Sequence, residues 1–191
     1  VTHLPSLHDR FGYRKYLNVD ERDRFYRAVQ IVEADVDRCF ALILFYTGCR
    51  ISEALRLTED QVDLSERCLV FRTLKQRGET KHRAVPVPDD LIALLVSLPH
   101  GGGKFFPFGR TTAWGRIKAI MEKADLEGIK ATPKGLRHSH AIAALTEQTP
   151  LPVIQRWLGH AKIETTSIYC DYVGVEERAL AEKLWSRTRK S

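Results

Sequence analysis

Between Glu21 and Glu33, the apolar residues Phe25, Ala28, Val29 and Val32 recur at spacings of three and four, which places them on one face of a helix that Asn18 or Asp20 is suited to cap. A second helix starts near Asp35, and its run from Phe40 to Tyr46 is apolar on all sides, predicting an element at the centre of the core that stops at Thr47-Gly48. A short helix follows over Ile51 to Leu57, beginning at Arg50, with a turn at Thr58 to Asp60. After Val62 the pattern changes to that of strands: Cys68 to Leu74 and His82 to Val87 carry β-branched and aromatic residues on either side of the polar turn Gln76 to Thr80, a hairpin signal. Pro86 and Pro88 keep the second strand at an edge or near its end.

Helical spacing then resumes over Asp89 to Leu98, closed by Gly101-Gly102-Gly103, and over Thr112 to Ala124 through Trp114, Ile117, Ile120 and Met121. Thr132-Pro133 is an N-cap followed by proline at the first helical position, opening a helix that carries Lys134, Arg137, His138 and Ala141. Further helices are expected over Val153 to Leu158, closed by Gly159, over Glu164 to Tyr172, and over Glu176 to Trp185. Residues 1–18 lack periodicity and read as an arm or linker. The pattern predicts a mainly α chain with a small antiparallel β-sheet, an α+β fold, in one domain over 19–191.

Composition narrows the partners. The chain has 191 residues, 43% of them hydrophobic and 28% charged, as in ordinary soluble globular proteins. Its longest apolar stretch, Cys39 to Tyr46, is far below the ~18 residues of a membrane span. Val1 to Asn18 is polar, aromatic and basic with no apolar signal core, so the expected location is cytoplasmic, associated with the nucleoid. Thirty Lys and Arg against 24 Asp and Glu give a net charge of +6, which favours a polyanionic partner. Cys39, Cys49, Cys68 and Cys170 show no C-x-x-C spacing and suggest neither zinc ribbon nor disulfide framework; Cys49 and Cys170, beside Arg50 and Tyr169, are oxidation or alkylation liabilities.

The chemistry rests on an ordered set of two arginines, a histidine and a tyrosine: Arg50, Arg137, His160 and Tyr169. A tyrosine attacks a phosphodiester as a covalent nucleophile, conserving the energy of the broken bond, so neither ATP nor metal is required and no cofactor is expected. The phosphoryl oxygens gain charge in the transition state, and the bidentate fork of arginine suits them better than lysine. Glu53, one helical turn after Arg50, is expected to support that arginine. His138 and His140 make a poor metal pair, since residues two apart on a helix point to different faces.

Thr47-Gly48-Cys49-Arg50-Ile51-Ser52-Glu53-Ala54-Leu55, then Pro133-Lys134-Gly135-Leu136-Arg137-His138, then Leu158-Gly159-His160 with Tyr169 nine residues later, resemble the catalytic domain of the tyrosine recombinases, the phage integrase family. The resemblance covers about residues 20–185. It implies that Arg50 and Arg137 clamp the scissile phosphate, that His160 hydrogen-bonds it, and that Tyr169 forms a 3′-phosphotyrosine bond and releases a 5′-hydroxyl. It places the general acid that protonates the leaving oxygen on the hairpin, with Lys75 the matching position and Lys81, across the turn, the competitor. Lys134 stands where most relatives have histidine; a lysine of ordinary pKa, about 10.4, stays protonated and contributes charge more than proton abstraction. Tyr172 is the competing tyrosine, and the spacing from His160 favours Tyr169.

The resemblance further implies double-stranded DNA as substrate, a homodimer on one site, a homotetramer in synapsis, and accessory DNA-bending proteins. Residues 1–18 are too few for the separate N-terminal domain of most relatives, so a fragment or a short form of the enzyme is expected. The C-terminal helix, about 175–186, resembles the segment that docks on a neighbouring protomer, with packing on its own domain the alternative. Phosphate contacts are expected from Arg72, Arg77, Lys81, Arg83, Lys104, Arg110, Arg116 and Lys118. Three other readings compete: type IB topoisomerase activity, a non-catalytic DNA-binding regulator derived from a recombinase, and a general interaction domain. The coincidence of the motifs favours site-specific recombination.

Overall fold

The structure is a computed structural model that describes residues 7–74, 80–170, 181, 182 and 185. Helix α1 spans Val19–Gln30, and Asn18 is its cap: Asn18 Oδ1 accepts from Glu21 N at 2.9 Å while Glu21 Oε2 accepts from Asn18 N at 2.9 Å. Helix α2, Asp35–Thr47, is buried along nearly its whole second half, as its all-round apolar run predicts. Helix α3 is only Ile51–Ala54, shorter than expected, because Arg56 and Leu57 turn back to the carbonyls of Glu53 and Ala54, a tighter winding that ends the helix.

A 3₁₀ turn at Glu59–Gln61 leads to three antiparallel strands, β1 Val62–Asp63, β2 Cys68–Leu74 and β3 Thr80–Pro86, in the order β1-β2-β3. The register pairs Cys68 with Pro86 and Leu74 with Thr80; Pro86 ends the edge strand β3, and Pro88 lies beyond it as the N-cap of the next helix. Helices α4 Asp89–Ser97, α5 Arg110–Lys123, α6 Pro133–Thr146, α7 Leu151–Leu158 and α8 Glu164–Ser167 complete the described chain.

Helix α6 begins where Thr132 Oγ1 accepts from Gly135 N at 3.0 Å. Gly135 is required there by space: a Cβ would lie 1.8 Å from the Lys130 carbonyl oxygen, so only glycine lets the entering loop cross the first turn of the helix that carries Arg137. Helix α8 stops at Ser167, short of the expected Tyr172, because Tyr169 N and Cys170 N bond to carbonyls three residues back.

Residues expected as an arm or linker pack on the domain from Leu7 onward. Leu7, Tyr16 and Leu17 are buried, and Leu17 N donates to Ser139 Oγ on α6 at 2.6 Å. Leu7 and Tyr16 join Ala141, Ile142, Ile154, Leu158, Ile168 and Tyr169 in a second hydrophobic cluster beside the main core. The C-terminal helix expected over 175–186 falls, apart from 181, 182 and 185, outside the described residues, as do Lys75, Arg77 and Tyr172.

Candidate functional site

The turn into α3, the start of α5, the loop and first turns of α6, and the stretch from His160 to Tyr169 converge on a cavity of about 730 Å³. Arg50, Lys134, Arg137, His138, His160 and Tyr169 all line it, and Trp114 and Ile129, both about half exposed, contribute to its apolar rim. Residues separated by more than a hundred positions in the chain thus share one basic recess.

Arg137 is buried and fixed by backbone: Nη1 donates to Gly48 O and Nη2 to Leu158 O, both at 2.7 Å. Burial, and then the charge of Arg50, lowers its pKa to about 10, which leaves it cationic at neutral pH. Arg50 is held from the other side. Glu53 Oε2 accepts from Arg50 N at 2.7 Å and Glu53 Oε1 from Arg50 Nη1 at 3.2 Å, the support expected from their spacing.

The second partner of Glu53 corrects the sequence reading. Arg83, expected at the DNA surface, is buried: its Nη1 and Nη2 donate to the two Glu53 oxygens at 3.0 and 2.7 Å, and its Nε donates to Trp157 O at 2.8 Å. The reason is strand alternation, since Arg83, Val85 and Val87 face inward while His82, Ala84 and Pro86 face out. Gly159 completes this arrangement, for it adopts φ +67° and a Cβ there would meet Arg83 Nη1 at 2.9 Å. Arg83 therefore ties β3 to α3 and to the end of α7.

Burial alone raises the pKa of Glu53, but hydrogen bonds and charge from Arg83, with help from Arg50, outweigh it and hold the carboxyl below its ordinary 4.5. A depressed folded pKa means the ion pair stabilises the fold above the unfolded value and stops doing so as pH falls through the folded one. Arg83→Met, which leaves a buried carboxylate without its main partner, is expected to cost about 3–5 kcal/mol at pH 7. The same variant should cost less near pH 3, where protonated Glu53 tolerates the loss; denaturant unfolding at both pH values checks this, and an equal loss at both would refute it.

Tyr169 is 1% exposed, and its hydroxyl lies 3.0 Å from His138 Nδ1. Burial pushes its pKa up to about 12, with Arg137 opposing. The His160 ring stacks on Tyr169 with centroids 6.5 Å apart and planes 11° apart, and His160 Nδ1 lies 2.9 Å from Thr166 Oγ1. Burial first, then Arg137 and Arg50, lower the His160 pKa to about 3, so the ring is neutral at physiological pH. Lys134 is exposed on the cavity wall. Cys49 is buried and its thiol pushed up to about 12 by burial, which removes it as a reactive thiol; Cys170 is exposed.

His138 was not singled out for the chemistry by its sequence, yet it follows Lys134 by four positions and so shares the cavity face of α6. His140 turns elsewhere, packing against Trp157 and over Gly48. Of the expected phosphate contacts, Arg72 pairs with Asp60, Arg116 pairs with Asp37 and lies over Phe108, and Lys118 Nζ is 6.0 Å from the Trp114 ring. Lys104 and Arg110 line a second groove, and Arg56, which sequence reasoning missed, joins them there; Arg110 belongs to both recesses. Lys81 pairs with Thr73 in the strand register.

Comparison with known proteins bears on the family and the fold. The phage integrase family pattern matches residues 15–173. The tyrosine recombinase XerA of Thermococcus kodakarensis is 32% identical over 160 residues, 77% of this chain and 55% of the relative. A crystal structure of XerA recombinase superposes with a TM-score of 0.75 at 26% identity, covering 96% of this chain and 66% of that one. XerH site-specific recombinase bound to its difH substrate shares the fold, with a TM-score of 0.72 at 22% identity, 93% of this chain and 59% of that one. The chain spans about half the length of the curated relatives it matches. With its mainly helical fold, small antiparallel sheet and family match over most of its length, the chain belongs to the phage integrase family.

Proposed function

We propose that this chain carries the catalytic centre of a site-specific DNA recombinase that cuts and rejoins strands through a 3′-phosphotyrosine intermediate. The observation that supports this reading most is the burial of the Tyr169 hydroxyl in a recess lined by Arg50, Arg137 and His160. Tyr169 Oη attacks the phosphorus as its phenolic proton passes to solvent water, helped by the charge of Arg137; a Tyr–O–P bond forms, the bond to the 5′-oxygen breaks, and the released 5′-oxygen takes a proton from the hairpin lysine, Lys75 or Lys81, which solvent then reprotonates. The energy of the broken bond stays in the phosphotyrosine, and a 5′-hydroxyl from a partner strand reverses the step.

Arg50 and Arg137 act on the oxygens of the phosphate. Their orientation is set in advance by Glu53 and by the carbonyls of Gly48 and Leu158, so little reorganisation is needed as charge develops. In the tautomer whose Nδ1 accepts from Thr166 Oγ1, a neutral His160 carries its hydrogen on Nε2, the donor a phosphate oxygen requires. Lys134, on the exposed wall, adds positive charge to the same recess. Duplex DNA would be held along Arg56, Lys104, Arg110 and Lys118, and affinity should therefore fall steeply with salt. A dimer on each site and a tetramer in synapsis follow from the same reading.

The test is a supercoiled plasmid carrying two copies of the DNA that flanks the chain's own gene. Exchange of strands between the copies is the expected result. Relaxation independent of paired sites would indicate a topoisomerase-like activity, and binding with neither product would indicate a DNA-binding regulator.

A further inference from the structure

Two buried neutral groups meet where the attacking atom starts. His138 Nδ1 and the Tyr169 hydroxyl are 3.0 Å apart, and both side chains are almost wholly enclosed. His138 sits on α6 directly after Arg137, so the helix that sets the guanidinium also sets the partner of the phenol. Its other ring nitrogen, Nε2, is buried with no hydrogen-bond partner among the described residues, which leaves Tyr169 as the polar contact that orients the ring.

The groups facing His138 are Lys134 and Arg137 from its own helix, Lys15 from the N-terminal segment, and His160 and Tyr169 from the chain after α7. Burial, then Lys134, Arg137 and Lys15, hold the imidazole pKa down to about 4, while burial holds the phenol up at about 12. An imidazole so depressed is a poor acceptor for so weak an acid, and a base role does not suit it. His160, the other nearby imidazole, has its Nδ1 engaged by Thr166. What His138 supplies is direction: its hydrogen bond fixes the phenolic oxygen, while His160 stacks on the ring face and Ile154, Leu158 and Ile168 of the same cluster offer apolar side chains.

Resting on the reading of Tyr169 as nucleophile, we propose that His138 is a positioning residue that anchors the Tyr169 hydroxyl in the arginine-lined recess until the phosphate arrives. Asparagine places an amide near the position of Nδ1 and keeps a hydrogen bond without being a base, whereas leucine fills the space and makes none. This separates direction from proton transfer and from packing.

The experiment measures single-turnover cleavage of a nicked duplex, DNA affinity and Tm for His138→Asn and His138→Leu, each with and without Tyr169→Phe. His138→Leu is expected to slow cleavage ~10- to 100-fold with DNA affinity unchanged, and His138→Asn to recover most of the rate. The Tm losses of His138→Leu and Tyr169→Phe should be non-additive, since both remove the same contact. Asparagine as slow as leucine, or additive Tm losses, would overturn the proposal. Should leucine prevent folding, the asparagine rate and its cycle with Tyr169→Phe decide. Absence of cleavage in the unsubstituted protein would instead sink the recombinase reading, and the Tm cycle would still judge the contact.

Discussion

Arg137→Lys is expected to lower the rate of strand cleavage by about 10³-fold, the scale seen when an arginine or oxyanion donor is taken from a phosphoryl or acyl transition state. Lysine keeps the charge and still fails. Two ends of the native guanidinium are committed to Gly48 O and Leu158 O at 2.7 Å, and it is this commitment that aims the group into the recess. An ammonium is a point charge on a flexible stem, unable to hold both carbonyls and face a phosphate at once. One or both buried carbonyls would lose a partner, so stability should also fall, by about 1–3 kcal/mol. Single-turnover cleavage measured beside thermal unfolding separates the two effects, and a rate within tenfold of the unsubstituted protein would remove Arg137 from the chemistry.

Tyr169→Phe should abolish the covalent adduct, with any residual cleavage reduced by about 10⁵-fold or more, as when a nucleophile is removed from an enzyme that depends on one. The ring is buried among Leu7, Tyr16, Ile154, Leu158 and Ile168, and phenylalanine fills the same volume. Only the hydrogen bond to His138 is lost, worth about 1 kcal/mol, so folding and DNA binding should survive. A variant that still forms adduct would shift the nucleophile to another residue, Tyr172 first.

Much of this was legible in the chain because local rules and global fold agree. Thr132-Pro133 announces α6 by cap chemistry alone, and the residues of β2 were readable from their composition and the polar turn beyond them. The spacing of Glu53 from Arg50 gave their contact, since a carboxylate three residues after the N-cap reaches back to the backbone N–H of the cap. Arg83 shows the limit. Its charge suggests a surface, while its place in the alternation with Val85 and Val87 marks the inward face, and its partner lies 30 residues away, where no local pattern points.

Tyr169 illustrates a second limit. A continuous helix from Glu164 would carry it, but α8 ends at Ser167 and tighter turns then swing the ring into the cluster formed by the N-terminal segment, α6 and α7. That docking depends on Leu7 and Tyr16, residues whose irregular spacing reads as a loose arm. The His138 contact has the same origin: it exists only once α6 and the turn after α8 are packed together.

The most direct test of the central claim is to trap the protein on a nicked duplex from which the cleaved fragment diffuses away, digest the denaturation-resistant adduct, and identify the nucleotide-bearing peptide by mass spectrometry. A 3′-phosphate esterified to Tyr169 is the predicted result. An adduct on Tyr172, or no adduct on a duplex that the protein demonstrably binds, would contradict it.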